Sequence, residues 1–284
     1  MSKVTLLQCS DLHFGRDADL AQVAGLEALV TALVPSAVVV AGDLTQRARH
    51  GEFQRALDFV QAMRRTTPTL VVPGNHDVEW WTTPFDVIGA AAKYEKFTRY
   101  FGPDLTPTLV VEHAVLCGVL TSYGVVAGSM TYNLNDMAVK GHLPARETER
   151  AANRFAEETP DMLRVLVMHQ NLLRGNISQR MGLARWRAAW RQVMASGADL
   201  VLCGHDHEEA AGTLPNGTVV ATSSTYTSRT RGHRPSACNY IIADRDTITV
   251  RHYIWDAALA RFHPGPEQCL PRTRTTPGVA PSDD

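Results

Sequence analysis

Five short apolar runs in this chain end in the same way, and that repeated ending limits the fold more than any other feature. Val4 to Cys9 stops at Ser10-Asp11-Leu12-His13. Ala37 to Ala41 runs into Gly42-Asp43, and Thr69 to Val72 runs into Pro73-Gly74-Asn75-His76-Asp77. Met162 to Met168 delivers His169-Gln170-Asn171, and Ala198 to Cys203 delivers Gly204-His205-Asp206-His207. Unbroken apolar runs of this kind suit strands covered on both faces. Between them the apolar residues take helical spacing, as in Leu20, Val23, Leu26, Leu29 and Leu33. Strand–helix units in succession build an α/β sheet whose ligands sit along the strands' carboxyl edge. Helices are predicted over residues 17–34, 52–65, 90–100, 144–158 and 183–196.

The polar residues at those endings carry the chemistry. Asp11 and His13 lie two apart, as do His205 and His207, so extended backbone points each pair the same way. Asp11-x-His13 alone reads as readily as a surface turn with an Asp helix cap, because short motifs recur by chance. Asn75, His76 and Asp77 on consecutive residues are harder to place. Each, if buried unpaired, costs on the order of 1–3 kcal/mol. A metal ion or an anion would satisfy such groups together. Asp43 and His169, each just past the end of a buried strand, join the same pattern.

Composition bounds the rest. The chain has 284 residues, 44% hydrophobic and 20% charged, with a formal net charge of −1. That length supports one large core, and near-neutral charge argues against bulk nucleic-acid binding. Five scattered cysteines form no CxxC pair, and no apolar run approaches the ~20 residues of a membrane helix. The N-terminus enters a strand at once, without a leader pattern. Reduced thiols and a cytoplasmic protein are expected. The chain shows no internal repeat and no linker, so one domain over residues 1–263 is predicted, with a flexible Pro- and Thr-rich tail from 264 to 284.

Three segments offer substrate contacts. Trp80, Trp81 and Phe85 follow the third ending and suit either a pocket wall or packing. Residues 121–142 lack periodicity and are long enough to overhang the site. Residues 223–234 mix hydroxyls with Arg, which suits either a phosphate contact or an exposed loop. Trp186 and Trp190, four apart, read as core packing.

Taken in order, D-x-H, G-D, G-N-H-D, a lone His and G-H-x-H resemble the signature of the calcineurin-like metallophosphoesterases, over Leu7 to His207. Residues 222–255 are similar to the C-terminal part of bacterial cytosolic members. The resemblance implies an α/β fold, a sandwich of two mixed β-sheets flanked by helices, around a dinuclear metal centre. It assigns Asp11, His13 and His207 to one metal, and Asn75, His169 and His205 to the second. Asp43 bridges both. It leaves His76 over the scissile phosphate as the catalytic imidazole, with Asp77 as its orienting partner. Many cyclic-nucleotide-type members carry a second histidine after the His169 position, whereas this chain has Gln170.

A donor set of N and O with no thiolate suits Mn²⁺, Fe or Zn²⁺. The function implied is hydrolysis of a phosphodiester, foremost a small nucleotide or cyclic nucleotide, by attack of a metal-bridging hydroxide. The alternatives are a broad phosphomonoesterase, a nuclease, or a metal-bound interaction scaffold without catalysis. A scaffold should lack a ligand or the imidazole, and this chain has them all. The expected partner is a small phosphoester, and no pattern points to an oligomeric state.

Overall fold

A computed structural model describes residues 3–79, 93–123, 140–227 and 230–273. Its first half repeats one unit. Strand β1 (Val4–Cys9) leads to α1 (Leu20–Leu33), β2 (Ala37–Ala41) to α2 (His50–Arg64), and then comes β3 (Thr69–Val72). The three strands pair in parallel, with Leu6 opposite Ala37 and Val38 opposite Thr69. Helix α1 starts at Leu20, later than its periodicity suggests, because the Asp19 carboxylate accepts from the Ala21 and Gln22 amides as an N-cap.

After α3 (Glu95–Phe101) the chain builds a second sheet. Its strands are β4 (Thr108–Val111), β5 (Ala114–Gly118), β6 (Leu163–Val167), β7 (Leu200–Cys203), β8 (Ala210–Thr213) and β9 (Val219–Thr222). Helix α4 (Ala145–Ala156) and α5 (Trp186–Ala195) cover its outer face. The chain then returns to the first sheet as β10 (Ala237–Ala243), β11 (Thr247–Asp256) and β12 (Arg261–Pro271). The sheet orders are β12-β11-β10-β1-β2-β3 and β4-β5-β6-β7-β9-β8. Both sheets are mixed, as the sequence implied.

The inner faces meet in one apolar layer: Leu6, Val39 and Val72 from the first sheet against Leu116, Val165 and Leu202 from the second. The opposite faces of the same strands pack on helices, with Val38 and Val40 against Phe53 and Phe59 of α2. Coverage on both sides explains why these runs do not alternate. Trp190 is part of the packing, its indole N–H donating to the Leu172 carbonyl at 2.9 Å. No helix among the described residues is long and apolar enough to cross a membrane.

The expected tail from residue 264 is corrected here. Residues 261–271 form β12, antiparallel to β11. The prolines at 264, 266 and 271 suggested a breaker, but β12 lies at the sheet's edge, where one row of amides needs no partner. Arg272 follows it and is buried. Its guanidinium meets Asp199 at 2.9 Å and donates to the carbonyls of Met162 and Asp244. The folded unit therefore runs past residue 263, while 274–284 lie outside the described residues, as do Trp80, Trp81, Phe85 and most of the 121–142 loop.

Candidate metal centre

All eight imidazole, amide and carboxylate groups assigned to the centre gather at the carboxyl ends of β1, β2, β3, β6 and β7. The first sheet supplies Asp11, His13, Asp43, Asn75 and His76. The second supplies His169, His205 and His207. The local backbone is unusual: Asp11, His13, Asp43, His205 and His207 all have left-handed φ, between 45° and 74°. Side-chain-bearing residues rarely adopt that conformation, and Asp and His are among those that do. Cross-strand bonds hold it, Asp11 N–H to the Gly42 carbonyl at 2.9 Å and His13 N–H to the Asp43 carbonyl at 3.0 Å.

Glycine is required where the loops touch. A Cβ on Gly74 would lie 2.1 Å from the Asp43 amide nitrogen and its Oδ1, and one on Gly204 would lie 2.1 Å from Ser10 Oγ. Only bare backbone lets the endings of β2 and β3, and of β1 and β7, approach this closely.

The atoms left facing the centre are acceptors once the imidazoles are neutral. His169 donates from Nδ1 to the Ala41 carbonyl at 2.9 Å, which leaves Nε2 pointing inward. That nitrogen sits 3.0 Å from Asn75 Oδ1 and 3.2 Å from both His205 Nδ1 and Asp43 Oδ2. His205 Nδ1 is itself 3.0 Å from Asn75 Oδ1. On the other side, His13 Nε2 and His207 Nε2 are 3.1 Å apart, and His207 Nε2 is 3.2 Å from Asp11 Oδ1. Asp43 Oδ2 lies between the two groups, 3.8 Å from His13 Nε2. Asp11 Oδ1 is buried without a hydrogen-bond partner. Opposed lone pairs with an orphaned carboxylate oxygen are what a cation satisfies, so these residues fit a pair of metal ions.

Electrostatics agree. Burial alone would raise the Asp11 carboxyl, but His207 and His169 hold it down at about 2. Asp43 is likewise held well below the usual carboxylate range by His169 and His76, against its burial. Burial pushes His13 down to about 4, and burial with the His169 charge pushes His205 down to about 3. His169 goes the other way: burial opposes its charge, yet Asp43 outweighs it and holds the ring up at about 9. Without metal, His169 therefore occupies the second position as an imidazolium.

Sequence reasoning missed the groups behind the ligands. Asp11 Oδ2 accepts from the Ser10 hydroxyl and from the His205 amide at 2.9 Å, leaving Oδ1 for the centre. Ser223 Oγ is 2.7 Å from Ser10 Oγ, and the Thr225 hydroxyl donates to the Asp11 carbonyl at 2.8 Å. Within the 223–234 loop, then, these two hydroxyls brace a ligand rather than meeting a phosphate. The Ser10 contribution had a signal, since it directly precedes the motif aspartate.

His76 is half-buried, its ring edge-on to His13 with centroids 4.8 Å apart. Its amide donates to Asp43 Oδ1 at 2.8 Å, and Nδ1 is fixed by the Gln46 carbonyl at 2.8 Å. The expectation that Asp77 orients this ring needs correction. Asp77 accepts from the amides of Leu44, Thr45 and Gly74 and from the Thr45 hydroxyl, at 2.8–3.1 Å. It locks the β2 and β3 loops together and touches no reacting position. Burial and the Asp43 charge push its carboxyl up to about 6.

Comparison with known proteins bears on the whole arrangement. No curated protein matches the chain. A dimetal phosphatase from Danio rerio has a similar fold, with a TM-score of 0.64 at 13% identity, over 95% of this chain and 99% of that one. GAP50 of Plasmodium, described as the anchor in the inner membrane complex, aligns with a TM-score of 0.61 at 10% identity, over 99% of this chain and 92% of that one. The family model of the calcineurin-like phosphoesterases matches residues 4–209, a span that contains every ligand position described above, and the chain belongs to that family.

Proposed function

We propose that the chain is a dinuclear-metal-dependent phosphodiesterase acting on a small nucleotide or cyclic nucleotide. The observation that carries this reading is the complete ring of opposed acceptors around Asp43, with His76 beside it and bound through its far nitrogen. Two bound cations would neutralise phosphoryl oxygens and acidify a water. Asp11, His13 and His207 would hold one, and Asn75, His169 and His205 the other, with Asp43 between them.

The chain's own residues do the rest. The Gln46 carbonyl accepts a hydrogen bond from His76 Nδ1–H, so Nε2 is the nitrogen left to meet substrate. Carrying a second proton there, the imidazolium can stabilise developing charge or pass that proton to the departing oxygen, a contribution of about 10²–10⁴-fold. Gln170, standing where a second histidine occurs in many cyclic-nucleotide-type members, is fully buried and exchanges hydrogen bonds with Ser122 at 3.3 and 3.4 Å. It serves as packing.

The test is Mn²⁺-dependent hydrolysis of bis-p-nitrophenyl phosphate beside p-nitrophenyl phosphate, with His76→Ala and Asp43→Asn as controls. Preference for the diester, lost in both variants, is the expected result. Preference for the monoester would make the protein a phosphatase. Turnover of neither ester, nor of nucleotides, by protein carrying two metals per chain would make it a binding scaffold.

A further inference from the structure

A cavity of about 380 Å³ lies on the flank of His76, lined by Arg16, Asp17, Gln46, Arg47, Arg49 and Glu52. Gln46 belongs to both places, since its carbonyl fixes His76 Nδ1 while the residue itself walls the cavity. Arg16 comes from the loop after β1, three residues beyond the ligand His13. Arg47 and Arg49 come from the loop between β2 and α2. All three are exposed, and none of their guanidinium groups forms an ion pair among the described residues.

The two loops are braced, so the arginines stand on fixed backbone. Phe14 N–H donates to the Leu44 carbonyl at 2.7 Å, and Gln46 N–H donates to the Phe14 carbonyl at 3.2 Å. A Cβ on Gly15 would come within 2.7 Å of the Gln46 Cβ, which shows how closely the loops abut. Glu52, the buried carboxylate of the lining, is committed to backbone: its Oε2 accepts from the Arg47 amide at 2.7 Å and the Arg49 amide at 3.3 Å. That leaves Asp17 as the other acid against three guanidinium groups, in a chain whose formal net charge is −1. A local excess of Arg on a rigid loop pair is suited to phosphate, which guanidinium binds through paired hydrogen bonds.

We infer that this cavity is a subsite for a second phosphate of the substrate. The inference rests on the phosphoesterase reading. Arg16 stands three residues beyond the ligand His13, and the cavity shares Gln46 with His76, so a substrate seated at the centre and carrying a further phosphoryl group has these guanidinium groups beside it. A simple cyclic mononucleotide leaves the cavity empty, and a phosphodiester bearing another phosphoryl group fills it.

Two measurements test this. Metal-free wild type and an Arg16→Ala/Arg47→Ala variant are titrated with inorganic pyrophosphate by calorimetry, with melting curves confirming that both are folded. The variant should bind at least tenfold more weakly, and equal affinity overturns the subsite. With Mn²⁺ restored, initial rates are compared on the dinucleotides UpU, pUpU and UpUp. One phosphorylated form should exceed UpU in kcat/KM by at least tenfold in the wild type, and the variant should bring that ratio toward one. If bis-p-nitrophenyl phosphate is hydrolysed but the wild-type ratio is already one, the subsite is wrong and the phosphoesterase stands. If metal-loaded protein hydrolyses no ester, the underlying reading falls and takes the subsite with it.

Discussion

His169 Nε2 and Asn75 Oδ1 face one another at 3.0 Å across the two sheets, one from the end of β6 and the other from the loop after β3. With its Nδ1–H donating to the Ala41 carbonyl, the ring turns Nε2 toward that oxygen: a proton on Nε2 bridges the two in the metal-free protein, and a metal ion would take the proton's place. Replacing either residue by Ala should leave about one metal per chain where the wild type holds two, read by elemental analysis after dialysis, with diesterase activity reduced about 10²-fold or more by loss of one arm of the two-metal clamp.

Metal loading should depend on pH through His169. Its folded value of about 9 lies above the ordinary 6.5. In the metal-free protein its charge therefore stabilises the fold fully below about pH 6.5, and that contribution is lost as pH rises through 9. The metal competes for the same nitrogen, so its affinity should rise over the same window. Because His13 and His205 titrate near 4 and 3, they are already neutral there. The gain in melting temperature on adding Mn²⁺ should be larger at pH 9 than at pH 6.5.

His76 and Asp77 are neighbours with separable roles. His76→Ala should lower kcat by about 10²–10⁴-fold with metal content intact. Asp77→Ala strips the acceptor from four donors in the β2 and β3 loops. Each buried donor left unpaired costs about 1–3 kcal/mol, so denaturant unfolding should show a loss above about 3 kcal/mol. Asp77→Asn, which keeps an acceptor oxygen, should lose less.

Ser10→Ala should act through Asp11. The hydroxyl and the His205 amide together hold Oδ2, and removing one lets the carboxylate turn. Metal affinity at the Asp11 side should fall about 10–100-fold, measured by competition with a chelating dye, while Ser223→Ala should show a smaller effect in the same direction.

Arg272→Ala should destabilise the fold by about 3–5 kcal/mol, because it leaves the buried Asp199 carboxylate without its counter-charge, held among the described residues only by the Arg164 amide at 3.0 Å. A chemical denaturation midpoint reads this directly, and the double variant Arg272→Met/Asp199→Leu should recover most of it.

The ligands were legible because each follows an apolar run and the fold needs nothing else at a strand's end. Asp11 and His13 fall in one group of donors, as their spacing suggested, but His205 and His207 do not: on a left-handed rather than extended backbone, His205 turns to His169 and Asn75 while His207 turns to His13 and Asp11. The braces were not legible. Gln46 acts through a backbone carbonyl, which every residue possesses, so no side-chain pattern marks it. Ser223 reaches Ser10 across 213 positions, and Arg272 reaches Asp199 across 73, contacts that exist only after the sheets stack. β12 was hidden by prolines that an edge strand tolerates, since proline reads as a breaker until the strand's neighbours are known.

The division of the donor set between the two sheets has a consequence for how the protein is made. His13 and His207 are 194 positions apart, so a nascent chain leaving the ribosome carries half of each metal site long before the other half exists. A fragment ending before His169 offers Asp11, His13, Asp43 and Asn75 but no imidazole from the second sheet. Metal captured at that stage would be weakly held, and firm capture must wait for the sheets to dock. Ion uptake would therefore be a late event in biogenesis, and in the finished protein bound ions would act as rivets through the seam between the halves.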